Sequence, residues 1–335
     1  MKLRNLFLAA LVTMLAACGG NNNGLTISGL DPANFEVINN GHPVKLYVLK
    51  NAGKMEVCVT NFGARIVSVC VPNKQGNMTD VVLGFDNIIQ YGLDPDSLNN
   101  DNNFGAAIGR YANRINKGQV TIAGKKYQLP QNNYGHCLHG GPTGWQYQPY
   151  TVEKVTKNSI RLRIDSPDGD NNFPGNVTAR VTYTLTPQNA IDIRYEAVTD
   201  APTVINMTNH SYFNLNGNPE LTVGNCILTI NGGTITIEAQ GDGVDSNGYL
   251  YVNGGTTYVS GPTNSGNGAV DYGLGAEVTG GTFIAAGSTG MAESFTGGTQ
   301  AFALVNASGS AGDTITVKDA SGTTLAEYQD RKSVV

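Results

Sequence analysis

Apolar and polar residues alternate along the chain from Val44 to about Gly217. Asn, Asp, Gly and Pro stand at the breaks between the segments that show the alternation most plainly, which are 55–60, 65–69, 178–185 and 191–197. Because successive side chains of a strand point to opposite faces, this pattern predicts half-buried strands joined by tight turns. We therefore expect a large antiparallel β-sandwich in this part of the chain.

After about Leu221 the pattern changes to glycine-rich repeats. Asn231-Gly-Gly-Thr234 recurs at 253–256 and, with Thr in place of Asn, at 279–282, and a short apolar strand follows each copy. Spacings in the low to middle twenties are typical of a parallel β-helix, in which each coil stacks on the next. Generic glycine-rich turns are the alternative, but three in-phase copies favour a short β-helix, with strands 314–318 and 324–328 as its cap. The predicted fold class is all-β, a partial sandwich followed by this β-helix.

Composition agrees with strands and turns and excludes one class of partner. The chain has 335 residues and 43 glycines, and its residues are 40% hydrophobic and 14% charged. This is enough for two domains or one large all-β domain with a buried core. The formal net charge is −5 and no cluster of Lys or Arg is present. Nucleic-acid binding is therefore not expected.

The N-terminus has the layout of an export signal. Lys2 and Arg4 precede an apolar run at 6–17 that is too short to span a bilayer, and Leu15-Ala-Ala-Cys18 ends it. The segment resembles the lipobox of bacterial lipoproteins, which implies lipidation of Cys18 and a membrane anchor through acyl chains. Residues 1–18 are then the signal peptide, 19–43 a tether and lead-in, and the location the cell envelope, as a periplasmic or outer-membrane lipoprotein. An ordinary secretory signal cut near the same place is the alternative.

An exported chain can form disulfides. Cys58 and Cys70 lie on two predicted neighbouring strands, so a cross-strand bridge and two buried thiols are both open readings. No spacing of Cys and His that is typical of a metal site occurs.

Six motifs in the first part of the chain carry a family resemblance. They are Asn61-Phe-Gly-Ala-Arg-Ile66, Asp80-Val-Val-Leu-Gly-Phe-Asp86, Gly109-Arg-Tyr-Ala-Asn-Arg-Ile115, Leu138-His-Gly-Gly141, Ser166-Pro-Asp-Gly169 with Phe173-Pro-Gly175, and Thr208-Asn-His-Ser-Tyr-Phe-Asn-Leu215. In this order they resemble the aldose 1-epimerase (galactose mutarotase) family over about residues 44–217. The resemblance implies a monosaccharide substrate and no cofactor for this part.

The family interconverts the α and β anomers of a free aldose by opening and closing its hemiacetal ring, which needs an acid and a base. By resemblance, His210 is the general acid, His139 a second histidine that holds the sugar, and Asn113 and Arg114 contact sugar hydroxyls. His42 and His136 have no such context and are read as surface residues.

The general base that the family resemblance implies, a glutamate near the end of the domain, has no counterpart here. The resemblance ends near Gly217, so the epimerase-like domain, 44–219, is expected to be truncated and its activity impaired. The remaining acidic candidates lack the right neighbours: Glu238, Glu277, Glu293 and Glu327.

The last part, 220–335, resembles a secreted β-helix family described as carbohydrate-binding, which implies a polysaccharide partner. The resemblance rests on segments 241–248, 261–271 and 285–292. Turn residues Asp242, Asp245 and Asp271 offer the hard oxygen ligands that Ca²⁺ prefers. The alternative is that Asp is simply a residue that turns favour.

Three readings of function follow. The first is a mutarotase-like lipoprotein that acts on a free aldose such as glucose or galactose. The second is a lipid-anchored carbohydrate-binding surface protein without catalysis. The third is a recombined gene that joins two partial domains.

Overall fold

The computed structural model describes residues 24–93, 103–218, 220–239, 241–263 and 265–330. Across these residues the chain forms strands and short 3₁₀ helices and no α-helix, as the sequence predicts. No helix in the described part is long and apolar enough to cross a bilayer. The predicted lipidation residue, Cys18, lies outside the described residues. The chain divides into two compact units between Tyr212 and Phe213.

The N-terminal unit contains sixteen short strands among its described residues. They are β1 (Val37–Asn39), β2 (His42–Val44), β3 (Leu46–Lys50), β4 (Glu56–Thr60), β5 (Arg65–Pro72), β6 (Met78–Asp80), β7 (Ala107–Ile108), β8 (Arg114–Ile115), β9 (Gln119–Ile122), β10 (Lys125–Gln128), β11 (Cys137–Leu138), β12 (Thr151–Val155), β13 (Ser159–Ser166), β14 (Val177–Leu185), β15 (Ile191–Thr199) and β16 (Thr208–Asn209). Its 3₁₀ helices are Pro32–Phe35, Ile89–Tyr91, Asn116–Gly118, Trp145–Tyr147 and Asp170–Asn172.

Two four-stranded antiparallel sheets form the body of this unit, in the orders β3-β4-β5-β6 and β12-β13-β14-β15. Their inner faces share one apolar core, because residues of both sheets belong to a single buried cluster. Strand β14 shows why: every second residue from Val177 to Leu185 is buried, as its alternation predicts. The buried Tyr183 also joins the sheets, since its hydroxyl donates 2.8 Å to the carbonyl of Ala64.

The sheet that contains β4 and β5 is covered on both faces. Its outer face packs against a second buried cluster that includes Phe35, Tyr91, Cys58 and Val67. Cys58 pairs across the ladder with Ser68 and Cys70 pairs with Glu56, and both thiols are free and buried. Cys58 and Cys70 are therefore two buried thiols in this structure, and the cross-strand bridge is not formed.

The C-terminal unit consists of eleven strands among its described residues. They are β17 (Ile227–Ile230), β18 (Thr234–Glu238), β19 (Val244–Ser246), β20 (Tyr249–Val252), β21 (Thr256–Ser260), β22 (Val270–Tyr272), β23 (Gly275–Val278), β24 (Thr282–Ala286), β25 (Gly297–Gly298), β26 (Thr314–Lys318) and β27 (Thr324–Gln329). Its 3₁₀ helices are Val223–Asn225 and Thr289–Met291.

Three parallel sheets build most of this unit, in the orders β17-β20-β23-β25, β18-β21-β24 and β19-β22, and β26 and β27 form an antiparallel hairpin at its end. The repeats found in the sequence stack in register, so that Thr234, Thr256 and Thr282 lie side by side. Ile230, Val252 and Val278 form an inward column of the same kind and belong to the buried core. The antiparallel arrangement predicted for the first part and the parallel arrangement predicted for the second are both confirmed.

Candidate functional site

The four residues proposed from the sequence as a sugar site all lie on one cleft of the N-terminal unit. The cleft has a volume of about 660 Å³. Its lining residues are Asn103, Ala112, Asn113, Arg114, Leu138, His139, Asn206, Met207, Thr208, His210 and Tyr212. The motifs that contribute these residues are far apart in sequence, and the loops and short strand pairs of this unit bring them together.

His210 is placed by a two-residue strand pair. Strand β16, which ends immediately before it, pairs antiparallel with β7. The backbone N–H of His210 donates 2.8 Å to the carbonyl of Ala106, and its own carbonyl accepts from the N–H of Gly105 at 3.1 Å. The side chain of Asn209 adds a 2.9 Å hydrogen bond to the carbonyl of Gly105. These bonds fix the backbone on both sides of the imidazole.

His139 is held in a left-handed backbone conformation, with φ of 51°. Its backbone N–H donates 3.1 Å to the carbonyl of Asn113, and its Nδ1 accepts 3.0 Å from the N–H of Asn113. The following Gly140 also has positive φ, and a Cβ there would lie 2.2 Å from the carbonyl oxygen of Gly109. The Leu-His-Gly-Gly motif therefore needs glycine because of both conformation and space.

The two imidazoles face each other. The ring centroids of His139 and His210 are 5.2 Å apart and the rings are nearly perpendicular, at 89°. The ring of Tyr212 also contacts His210, at a centroid distance of 5.2 Å. Burial, together with the charges of His210 and Arg114, lowers the pKa of His139 to about 4. Burial and the charge of Arg65 lower the pKa of His210 as well, so both rings favour the neutral form.

Asn113 and Arg114 lie at the rim of the cleft and are exposed. The Nε of Arg114 donates 2.9 Å to Oδ1 of Asn133, and its backbone N–H donates 2.8 Å to Oδ1 of Asn113. The guanidinium is thus oriented from one side, and a planar fork of this kind can bond two hydroxyls at once.

Among the lining residues that the sequence did not assign to the site, three carry an amide or an aliphatic hydroxyl: Asn103, Asn206 and Thr208. Asn206 joins the cleft through the backbone, because its N–H donates 3.0 Å to the carbonyl of Arg110 and its carbonyl accepts 2.8 Å from the N–H of Ala112. The only available signal was its place just before the Thr-Asn-His motif. The two other histidines, His42 and His136, are not among the lining residues.

The described residues that line the cleft include no carboxylate. The acidic candidates from the sequence lie in the C-terminal unit: Glu238, Glu277 and Glu327 are exposed on strands, and Oε2 of Glu293 accepts 3.2 Å from the N–H of Tyr272. The cleft therefore presents imidazole, amide, hydroxyl and guanidinium groups, which suit hydrogen bonding to a polyol.

The proposed calcium ligands lie on the C-terminal unit. Asp245 and Asp271 are register partners on the parallel strands β19 and β22, so the prediction that both lie on turns is wrong. Oδ1 of Asp242 accepts 2.8 Å from the N–H of Gly268. Burial and the charges of Asp271 and Asp242 raise the pKa of Asp245. No group of three or more His, Cys, Asp or Glu suited to a metal occurs among the described residues, and calcium binding stays a prediction.

Comparison with known proteins identifies a family for most of the N-terminal unit and the first part of the C-terminal unit. The profile of the family "Aldose 1-epimerase" matches residues 45–248, which extends past the limit near residue 217 inferred from the motifs. The aldose 1-epimerase of Escherichia coli (strain K12) is 36% identical over 178 residues, 53% of this chain and 49% of that protein. The galactose mutarotase of Mus musculus is 39% identical over 182 residues, 54% of this chain and 51% of that protein. The chain thus spans about half the length of the curated relatives it matches.

A solved structure shares the fold of the same part. The GalM/aldose epimerase homologue from C. elegans superposes with a TM-score of 0.50 and 32% identity. The match covers 54% of this chain and 53% of that one.

Proposed function

Because the chain belongs to the aldose 1-epimerase family, we propose that its cleft binds a free aldose, such as glucose or galactose, and promotes exchange of its anomers. The observation that carries the proposal is the pair of imidazoles 5.2 Å apart in a polar cleft. A sugar hydroxyl or ring oxygen between them would meet a proton donor on either side.

The hydrogen bonds and pKa shifts of the two histidines support a role for each. Nδ1 of His139 is occupied by the N–H of Asn113, so the neutral ring donates through Nε2 to a sugar oxygen. His210 protonates the ring oxygen as the C1 hydroxyl loses its proton, and the proton returns when the ring closes on the other face. Because the pKa of His210 is lowered, its protonated form is scarce at neutral pH, and donation improves as the pH falls.

We expect slow turnover. General acid and general base catalysis each contribute roughly 10²- to 10⁴-fold. The described lining residues offer no carboxylate as base, so water would accept the C1 proton. A rate enhancement limited to the contribution of the acid is the expected result.

The test is the rate at which fresh α-D-glucose and α-D-galactose change optical rotation with the full chain. His210→Ala should abolish the acceleration, and His139→Ala should weaken sugar binding. His42→Ala is the matched control, because His42 is exposed on β2 and does not line the cleft. A wild-type rate equal to that of buffer, from protein with a native circular dichroism spectrum, rejects the enzyme.

The missing carboxylate favours a second candidate, a lipid-anchored carbohydrate-binding protein without catalysis. Saturation-transfer NMR separates the two: sugar signals that respond to the protein, without faster anomer exchange, support binding alone. Both candidate functions include lipid attachment at Cys18 and a location in the cell envelope. Labelling with a palmitate analogue that is lost in Cys18→Ser would support it.

We further propose that the C-terminal unit is a short parallel β-helix that contacts polysaccharide. The in-register parallel strands support the first half of this proposal. Co-sedimentation of the full chain with insoluble polysaccharides tests the second half, with free glucose as competitor to separate binding in the cleft.

A further inference from the structure

Arg65 is a buried cation beneath the histidine cleft. Its side chain has no solvent exposure, although the alternation of β5 would allow a polar residue to face water. Burial lowers the pKa of its guanidinium to about 10, so the group remains charged at neutral pH. Placing a charge inside a protein is costly unless it makes well-directed hydrogen bonds. Arg65 makes one to the carbonyl of Gln146, which follows His139 in the chain, and one to the carbonyl of Phe104, in the segment that pairs with His210.

One hydrogen bond leads toward His139. Nη2 of Arg65 donates 2.8 Å to the carbonyl of Gln146. The side chain of Gln146, itself buried, donates 3.0 Å from Nε2 to the carbonyl of His139. Arg65 therefore reaches the backbone of His139 through a single intervening residue.

The other hydrogen bond leads toward His210. Nη1 of Arg65 donates 2.9 Å to the carbonyl of Phe104. The next residue, Gly105, donates its N–H to the carbonyl of His210 at 3.1 Å. The same guanidinium thus holds the segment against which His210 is paired.

Aromatic rings keep the guanidinium in this position. Its Cζ lies 5.7 Å from the ring centroid of Phe62 and 5.2 Å from that of Tyr91. The ring of Phe104 in turn packs edge-on against Tyr212 at 5.0 Å, and Tyr212 contacts His210. Cation–π contacts of a desolvated Arg are favourable and restrict its rotation.

We propose that Arg65 is a positioning residue for the proposed sugar site, and that its planar guanidinium sets the separation of His139 and His210 by bonding both segments at once. The role of Arg65 in sugar binding rests on the proposed function. Its effect on the separation of the two rings rests on the contacts described above. A lysine ammonium is a point charge with a different shape and cannot reproduce both bonds from one rigid plane.

The experiment compares Arg65→Lys and Arg65→Met in the full chain. The chain has four histidines, so their ring Cε1–H signals can be resolved and assigned by NMR. Arg65→Lys keeps the charge, and we expect an unchanged pKa for His210, loss of the cross-peak between the rings of His139 and His210, and sugar binding weakened roughly 10- to 100-fold. Arg65→Met also removes the charge that lowers the pKa of His210, and that pKa should rise.

Arg110→Met is the matched control. Arg110 is also buried and lies 5.6 Å from an aromatic centroid, that of Phe173, but its side chain bonds other carbonyls, those of Pro174 and Gly175. It should lose stability like Arg65→Met and leave the ring cross-peak and the pKa of His210 in place. If Arg65→Met does not fold, the test uses Arg65→Lys and Gln146→Leu. Gln146→Leu removes only the link to His139.

The outcomes separate this inference from the proposed function. A folded Arg65→Lys protein with an unchanged ring cross-peak and unchanged affinity for sugar overturns the positioning role. Equal effects of Arg65 and Arg110 variants on the histidine signals also overturn it. If the wild type binds no aldose but Arg65→Lys still separates the two rings, the positioning role stands and the proposed function fails.

Discussion

The backbone N–H of Asn113 donates a 3.0 Å hydrogen bond to Nδ1 of His139. An imidazole nitrogen that accepts a hydrogen bond carries no proton, so the neutral ring of His139 is protonated at Nε2. Protonation of Nδ1 would break this bond and place a second positive charge near Arg114. Burial and the charges of His210 and Arg114 lower the pKa of His139 to about 4, and loss of this hydrogen bond on protonation would act in the same direction.

We predict that His139 remains the neutral Nε2–H tautomer from neutral pH down to about pH 4. Nitrogen-15 NMR of the imidazole distinguishes the tautomers directly. A histidine signal from His139 that titrates near its ordinary value of 6.5 would contradict the prediction.

The same shift predicts how stability depends on pH. Between 6.5 and about 4 the unfolded chain binds a proton at His139 that the folded chain does not. The contribution of His139 to the free energy of unfolding is therefore complete above pH 6.5 and decreases as the pH falls. Urea unfolding of the wild type and His139→Gln should converge toward acid pH. His42→Gln, at an exposed position, is the control for the loss of an imidazole elsewhere in the chain.

Asp245 gives a prediction for the C-terminal unit. Burial and the neighbouring charges of Asp271 and Asp242 raise its pKa, so the folded chain holds this proton more readily than the unfolded one. Ionisation of Asp245 therefore lowers the free energy of unfolding as the pH rises through its pKa in the folded chain. We expect Asp245→Asn to raise the thermal midpoint at pH 7 and to have no effect at a pH where the carboxyl is already protonated.

Calcium addition extends this test. A bound cation would offset the repulsion among the three carboxylates, so Ca²⁺ should raise the midpoint of the wild type and not that of Asp245→Asn. The control is Asp192→Asn, at an exposed position of β15. Equal responses of all three proteins would show that these aspartates do not bind calcium.

The sequence predicted the features that depend on local periodicity. Alternation gave the strands of both units, and the phase of the Asn-Gly-Gly-Thr repeats gave their parallel register, because stacked coils must repeat the same strand and turn. The family resemblance of their motifs, and not a local period, assigned four residues to a sugar site. All four line one cleft: Asn113, Arg114, His139 and His210.

Features that depend on contacts between distant segments were not predicted. Arg65 follows the pattern of a polar residue on a half-exposed strand, yet β5 is covered on both faces and its guanidinium is fully buried. Asn206 joins the cleft by backbone bonds to residues near 110, which no local pattern encodes. Such positions are set by contacts between segments that are distant in the sequence and not by the period of one strand.

We predict that Tyr328 attaches the terminal hairpin of β26 and β27 to the parallel strands. Its ring stacks on Tyr258 at 4.8 Å and 5°, and its hydroxyl is hydrogen-bonded to Ser260. We expect Tyr328→Ala to cost about 3–5 kcal/mol of local stability and Tyr328→Phe about 1 kcal/mol.

Hydrogen exchange of peptides from 314–329 measures this local stability. Leu325→Ala is the control, because Leu325 belongs to the same hairpin and is 63% exposed. Exchange in Tyr328→Ala no faster than in Leu325→Ala would show that the hairpin is held by other contacts.

The last prediction concerns the close approach of neighbouring strands in the C-terminal unit. A Cβ at Gly248, which precedes β20, would lie 1.9 Å from the carbonyl oxygen of Cys226, which precedes the adjacent strand β17. A backbone atom cannot move aside as a flexible side chain can, so Gly248→Ala must displace one strand relative to the other. We expect a loss of about 1–3 kcal/mol. Gly232→Ala is the matched control, since a Cβ there meets nothing within 4 Å, and it should be neutral or slightly stabilising. Hydrogen exchange of peptides from 227–260 in the two variants checks this, and equal protection would mean that these strands do not pack in the register seen here.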